Sequence, residues 1–140
     1  MKTEKVCVNL TPTELGQIDL LIERGLYDSR SDFMRTAARK QLEGYAADIK
    51  QFLEPPQLTE DGKTDLMWSL GIAVLTKSTI EELIAKGKKV HIRAVGVFTV
   101  SEKATLEEIH QVVGSCKVYG KLVANPEIKA AILEIEERRN

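Results

Sequence analysis

The sequence has few features of a secreted or membrane protein. Its 140 residues hold two cysteines, Cys7 and Cys116, which lie far apart and form no CxxC motif. In a reducing compartment we expect both to be free thiols. No run approaches the roughly 18 apolar residues of a membrane span, and the N-terminus lacks a signal-peptide core. We therefore expect a cytoplasmic protein with no membrane contact, associated with the nucleoid if it binds DNA.

The chain also lacks an excess of charge of either sign. It carries 20 basic and 21 acidic residues, a net charge of −1. With 43% hydrophobic and 29% charged residues, it has the composition of a soluble globular protein. Because no global basic excess exists, any contact with nucleic acid must come from a local patch. The length suits one ordinary domain or two small ones.

Motifs for nucleotide, metal or catalytic chemistry are missing. Neither GxGxxG nor GxxxxGK[ST] occurs. His91, His110 and Cys116 are the candidate metal ligands, and they show neither HxH nor CxxC spacing. A dyad of Cys116 with His110 would lack a third, orienting group. We expect no enzymatic activity, no catalytic residue, no metal and no cofactor.

The first ten residues contain an alternating pattern typical of a half-buried strand. Nothing in the next forty residues resembles a second strand that could pair with it, and a lone strand is not stable. The simplest remedy is the same strand from a second copy, antiparallel about a two-fold axis. The alternating residues are Val6, Val8 and Leu10 on the inward face and Lys5, Cys7 and Asn9 on the outward face.

A helix start follows directly after this strand. Thr11 can cap the helix, Pro12 suits its first position, and Glu14 completes a capping box. Apolar residues then recur at helical spacing, and Gly25 predicts the end of this helix after Arg24.

A second helix start lies at Ser29, with Asp32 three residues further on. We expect Phe33, Met34 and Ala37 to join the strand residues in the core of the dimer. The same apolar stripe can be followed through Tyr45, Ile49 and Phe52 despite Gly44, which predicts that the second helix continues as a stalk until Pro55-Pro56.

In this order, the segment "KVCVNLTPTELGQIDLLIERGLYDSRSDFMRTAARKQL" resembles the ribbon-helix-helix DNA-binding domain of Arc-, MetJ- and CopG-type repressors. The resemblance implies that the outward residues Lys5, Cys7 and Asn9 read bases in the major groove, whose width admits a two-stranded ribbon. Cys7 departs from the hydroxyl or long polar residue that is commoner there, and a thiol is a weak hydrogen-bond donor.

The resemblance also implies that the start of the second helix holds a DNA phosphate. The residues concerned are Ser29, Arg30 and Ser31, with Lys2 as a further phosphate contact. Helix-start N–H groups attract anions, which agrees with this assignment. Residues 1–45 carry seven basic and seven acidic residues, so the contact would depend on a few cations on one face.

The second half of the chain contains a pattern that occurs three times. "SLGIAVLTK", "AVGVFTVSE" and "VYGKLVANP" each precede a helical run, and their glycines are Gly71, Gly96 and Gly120. Such a period indicates stacked supersecondary units. We expect three parallel strands with helices on one side. The run "KKVHIR" before the second glycine would either extend that strand or pair beside it.

Together these patterns predict an α+β chain with three parts. They are a ribbon-helix-helix (β-α-α, intertwined dimer) domain at residues 1–45, a helical extension and linker at 46–65, and a solenoid-like βα-repeat domain at 66–140. We expect a homodimeric, sequence-specific DNA-binding transcriptional regulator. Its partners would be double-stranded DNA, further copies of itself, and a protein or small-molecule effector at the second domain. The alternative is an antitoxin-like or assembly protein whose repeat half binds a protein partner.

Overall fold

The computed structural model describes residues 3–53 and 62–138 and contains two compact units, Met1–Asp48 and Ile49–Asn140. The predicted boundaries at residues 45 and 65 stay predictions. No helix within the described ranges is both long and apolar enough to cross a bilayer. The first three helices are α1 (Pro12–Glu23), α2 (Arg30–Gly44) and α3 (Ala46–Leu53).

The start and end of α1 are set by local hydrogen bonds. The Glu14 N–H donates to Thr11 Oγ1 at 3.2 Å, and the Thr11 N–H donates to Glu14 Oε2 at 2.8 Å. This reciprocal pair is the predicted capping box. Arg24 caps the other end, and Gly25 follows with a φ of +78°, a left-handed conformation that favours glycine. The predicted start and end of this helix are confirmed.

The second helix starts as predicted but does not continue as one stalk. The Asp32 N–H donates to Ser29 Oγ at 3.0 Å, so Ser29 is the N-cap. At the other end, the Tyr45 N–H bonds back to Leu42 O at 3.0 Å, a tightened last turn, and α3 begins at the next residue. The expectation of a single unbroken helix is wrong, because the helix ends at Gly44, a weak helix former. The predicted stop at Pro55-Pro56 lies outside the described residues.

Residues 3–10 belong to no helix or strand in the single chain. Val6 is 81% exposed and Val8 57% exposed. A strand needs a hydrogen-bonded neighbour, and we expect a second copy of the chain to supply it. The paired strand therefore stays a prediction.

The second unit is a three-stranded parallel sheet in which the strands lie in chain order. Each strand is followed by a helix, and α5 contacts both α4 and α6. The run "KKVHIR" belongs to the start of β2, so it extends that strand. The elements are β1 (Thr64–Leu75), α4 (Lys77–Ala85), β2 (Lys89–Val100), α5 (Leu106–Val112), β3 (Val113–Val123) and α6 (Pro126–Glu137).

The three glycines lie opposite one another in the sheet. Gly71 pairs with Gly96, Gly96 pairs with Gly120, and their φ angles are +114°, +119° and +132°. A Cβ at Gly96 would lie 2.1 Å from Gly71 O, and a Cβ at Gly120 would lie 2.2 Å from Gly96 O. β1 and β2 therefore each direct the glycine carbonyl to the glycine of the next strand, where a side chain cannot fit.

The two faces of this sheet differ sharply. Alternate residues of each strand pack against the helices, and Ile92 and Phe98 are fully buried there. On the opposite face Leu70 is 65% exposed and Ile72 is 67% exposed, with Trp68, Val74 and Tyr119 also exposed. Parallel sheets are usually covered on both faces, so this open apolar face is unusual for a single chain.

Candidate nucleic-acid interface

The three residues predicted to read bases are all exposed in the single chain. Lys5, Cys7 and Asn9 are exposed, and so are their apolar neighbours Val6 and Val8. The single chain therefore does not distinguish an inward from an outward face of this segment. Leu10, next to the helix start, is half-buried, and Lys2 lies outside the described residues.

The turn between α1 and α2 is held by short-range contacts around the start of α2. The Tyr27 and Phe33 rings meet edge to face, with centroids 5.0 Å apart. The Asp28 N–H donates to Asp32 Oδ2 at 3.1 Å, so the Asp32 carboxylate ties the turn to the first turn of the helix. These contacts fix the direction in which the helix start points.

The helix start itself carries free backbone donors. The Asp32 N–H is taken by Ser29 Oγ and the Phe33 N–H by Ser29 O at 3.0 Å. The two preceding N–H groups, those of Arg30 and Ser31, have no acceptor within the helix, as at every helix start. They lie beside exposed side chains, so an anion could reach them.

Arg30 makes a contact that no sequence pattern predicts. Its Nε and Nη2 donate to the two carboxylate oxygens of Asp19 on α1, at 2.9 and 2.8 Å. This bidentate pair connects α1 to α2 and lowers the pKa of Asp19, because the guanidinium stabilises the charged carboxylate. The helix start therefore presents an ion pair. Asp19 and Arg30 are 11 residues apart, and no short-range pattern reveals such a pair.

The apolar residues predicted for the dimer core are only partly covered. Ile18 on α1 is buried, whereas Phe33 and Met34 are half-buried and Ala37 is exposed. No residue of α2 is buried. An apolar stripe this exposed on a 15-residue helix is consistent with a cover supplied by another chain.

The candidate metal and catalytic residues lie in different surroundings. Among the described residues, no group of three or more His, Cys, Asp and Glu side chains is arranged to hold a metal. Burial raises the pKa of the Cys116 thiol to about 12, so it stays protonated at neutral pH. His91 Nδ1 lies 2.5 Å from Ser115 Oγ on β3, and His110 is exposed on α5.

Comparisons with known proteins gave one match. Residues 1–129 match the model of a ribbon-helix-helix transcriptional regulator family, a range that includes the first unit and most of the second. The comparisons with curated proteins and with solved structures found no match. The family's description indicates DNA binding and transcription regulation, and it agrees with the resemblance of the first 44 residues. The chain belongs to the ribbon-helix-helix transcriptional regulator family.

Proposed function

We propose that this protein is a homodimeric, sequence-specific DNA-binding regulator that inserts a two-stranded ribbon into the major groove. The observation that carries the proposal is the exposure of Val6 and Val8 in an alternating segment directly before a firmly capped helix. Residues 3–10 of two chains, paired antiparallel, would satisfy each other's backbone groups. The same pairing would place four valine side chains on the exposed stripes of the two α2 helices.

Burial of these valines would be the main energetic gain of the dimer. Full burial of one valine side chain contributes about 1.5–3 kcal/mol. Leu10, Phe33, Met34 and Ala37 would complete the same core, since all are half-buried or exposed in the single chain. A strand's side chains alternate between two faces, so burial of Val6 and Val8 directs Lys5, Cys7 and Asn9 outward.

The outward residues would read base edges. Lysine suits the O6 and N7 acceptors of guanine, and asparagine can bond bidentately to adenine. Cys7 offers an apolar contact or a weak hydrogen bond. Because a dimer presents this set twice, we expect a palindromic operator.

Phosphate contacts at the start of α2 would set the depth of the ribbon. The N–H groups of Arg30 and Ser31 would donate to a phosphate oxygen, with the Ser29 and Arg30 side chains beside it and Lys2 nearby. In this arrangement Asp19 is a positioning residue, because its carboxylate fixes the direction of the Arg30 guanidinium.

An antitoxin-like or assembly protein is the second candidate. It is favoured by the balanced charge of residues 1–45 and by the open apolar face of the second unit, which suits a protein partner. In this case the first unit would dimerise and DNA binding would be secondary. An effector of the second unit would fit either candidate.

A gel shift against the DNA upstream of the protein's own gene tests the proposal. We expect binding to this DNA that survives competition by random DNA, and weaker binding by Asn9→Ala with its dimer intact. Equal affinity for both DNAs would contradict sequence-specific reading and favour the second candidate.

A further inference from the structure

We propose that the second unit joins head to tail with the second unit of another copy, with β3 of one chain pairing in parallel beside β1 of the next. The partner is a further copy of this chain, and the contact goes beyond the ribbon dimer and does not depend on it. The observations that carry it are two long unpaired strand edges, the glycine stack, and one exposed leucine.

The first observation is that both edges of the sheet are long and unpaired. β1 has 12 residues and β3 has 11, and neither contains a proline. Within the described parts of the chain, no strand pairs with the outer edge of either one. Soluble proteins usually shorten, bend or cover such edges, because an open edge is a template for pairing with another strand. Solenoids usually end in capping elements for the same reason.

The second observation is that the two edges have complementary shapes. Gly71 O occupies the space where a Cβ of residue 96 would lie, and Gly96 O occupies the same space at residue 120. The two Cβ–O distances, 2.1 and 2.2 Å, are almost equal. Gly120 has a positive φ similar to that of the other two glycines, so we expect its carbonyl to point to the outer edge of β3 in the same way. On the outer edge of β1, the space beside Gly71 where a Cβ would lie holds no atom of the described chain within 4 Å. Gly120 of one copy therefore fits Gly71 of the next as the glycines fit within the chain.

The third observation concerns the helices. Lys77 Nζ lies 2.5 Å from Glu108 Oε1, so the flank of α4 that carries Lys77 faces α5. Ile84 lies on the same flank, two helical turns further on, and packs against the core. Its counterpart on α6 is Leu133, which lies as far after Gly120 as Ile84 lies after Gly71. Leu133 is 47% exposed, and it marks the flank of α6 where α4 of a following copy would lie.

The contact would be heterologous, because it uses two different surfaces. Such a contact forms a ring if the rotation closes and a filament if it does not. It differs from a two-fold contact, in which the same edge or face is used by both copies. That difference gives the proposal a sharp test, since each edge can be blocked separately.

The test uses the full-length chain with one block on each edge. Leu75 O accepts from Ser101 N–H at 2.9 Å, so Leu75 directs its backbone groups toward β2. Successive residues alternate, and Val74 directs its N–H to the outer edge. Val74→Pro removes that donor and leaves the hydrogen bonds between β1 and β2 intact. Leu133→Glu places a charge on the opposite edge, and Ala130→Glu, on the exposed side of the same helix, is its matched control.

Sedimentation at increasing concentration gives the result. We expect the parent and Ala130→Glu to exceed the mass of the ribbon dimer, and Val74→Pro and Leu133→Glu each to stay at that mass. Mixing the two blocked variants should restore the larger species, because each retains the edge that the other lacks. If a blocked variant sediments as a monomer, the ribbon dimer is refuted. The head-to-tail contact is still tested, because the mass of the mixture is compared with the baseline mass of each blocked variant alone.

Three outcomes would overturn the proposal. They are a parent that never exceeds the baseline mass, a Leu133→Glu variant that keeps the parent's mass, and a mixture that stays at the baseline. Circular dichroism checks that each variant is folded. If Val74→Pro does not fold, Thr79→Arg replaces it, because Thr79 follows Lys77 by two residues and so lies on the side of α4 opposite the flank that faces α5.

Discussion

Alanine substitutions at two of the stacked glycines should have very different costs. Gly71 and Gly96 share almost the same backbone, with φ angles of +114° and +119°. An alanine at either position must adopt a sparsely populated conformation, which costs about 1–3 kcal/mol. At Gly71 nothing lies within 4 Å of the new Cβ, so this strain is the whole cost in a single chain.

At Gly96 the new methyl group would also meet a backbone oxygen. The Cβ would lie 2.1 Å from Gly71 O, and real Cβ atoms essentially never come within 3.0 Å of another atom. To relieve the contact, β1 and β2 must separate by about 1 Å, which breaks ladder hydrogen bonds in the middle of the sheet. We expect Gly96→Ala to cost more than about 4 kcal/mol, the range reserved for a broken core or backbone. Domains are stable by about 5–15 kcal/mol, so this variant should be close to unfolded.

Urea unfolding followed by tryptophan fluorescence measures both costs. The chain has one tryptophan, Trp68, which lies on β1 and reports on the second unit alone. The measurement belongs at low concentration, where contacts between copies are absent. If Gly71→Ala and Gly96→Ala lose equal stability within about 0.5 kcal/mol, the carbonyl contact is not what requires glycine at residue 96, and the explanation of the stack is wrong.

Four further predictions follow from single contacts. Alkylation of the native protein should modify Cys7 and leave Cys116 unreacted, because Cys116 is buried with a pKa of about 12; labelling of Cys116 in the folded protein would contradict its position. The hydrogen bond from Lys77 lowers the pKa of Glu108. The pair therefore stabilises the second unit at pH values above the ordinary carboxyl pKa of 4.5, and this contribution is lost as the pH falls through the lowered pKa. Urea midpoints between pH 3 and 6 should depend less on pH in Glu108→Gln than in the parent. Lys5→Ala and Asn9→Ala should each weaken operator binding by about 1–3 kcal/mol and leave the dimer intact, whereas Val8→Asp should abolish the dimer, as gel shifts and sedimentation would show. Asp19→Asn should steepen the salt dependence of DNA binding, measured on operator and random DNA.

The elements that the sequence predicted correctly are those fixed by neighbouring residues. The capping box of Thr11 with Glu14 and the cap at Ser29 depend on hydrogen bonds between residues three apart, so their chemistry can be read from the chain. The break at Tyr45 was missed because an apolar stripe continues across it, and periodicity alone does not register a single tightened turn.

The parts that could not be predicted depend on contacts between distant residues. The spacing of Gly71, Gly96 and Gly120 predicts a repeat, but the reason for glycine at residues 96 and 120 is a carbonyl on the neighbouring strand, which only the register shows. The open face of the sheet is also a property of the assembled strands, since "SLGIAVL" alone is equally typical of a strand buried on both sides.

The Arg30–Asp19 pair decides how much charge the proposed interface offers to DNA. With the carboxylate in place, the guanidinium is oriented but largely neutralised, so the phosphate contact would depend mainly on backbone N–H groups. Asp19→Asn would free two Arg30 guanidinium groups per dimer. The slope of log binding constant against log salt concentration should then steepen by up to about 0.9 for each guanidinium. Arg30→Ala should weaken binding to both DNAs alike, in the parent because it leaves a bare carboxylate beside a phosphate and in Asp19→Asn because it removes the freed cation. A double variant with Asp19→Asn and Arg30→Ala that keeps the steeper slope of Asp19→Asn would show that Asp19 does not act through Arg30, and an unchanged salt slope in all variants would place this helix start away from the DNA backbone.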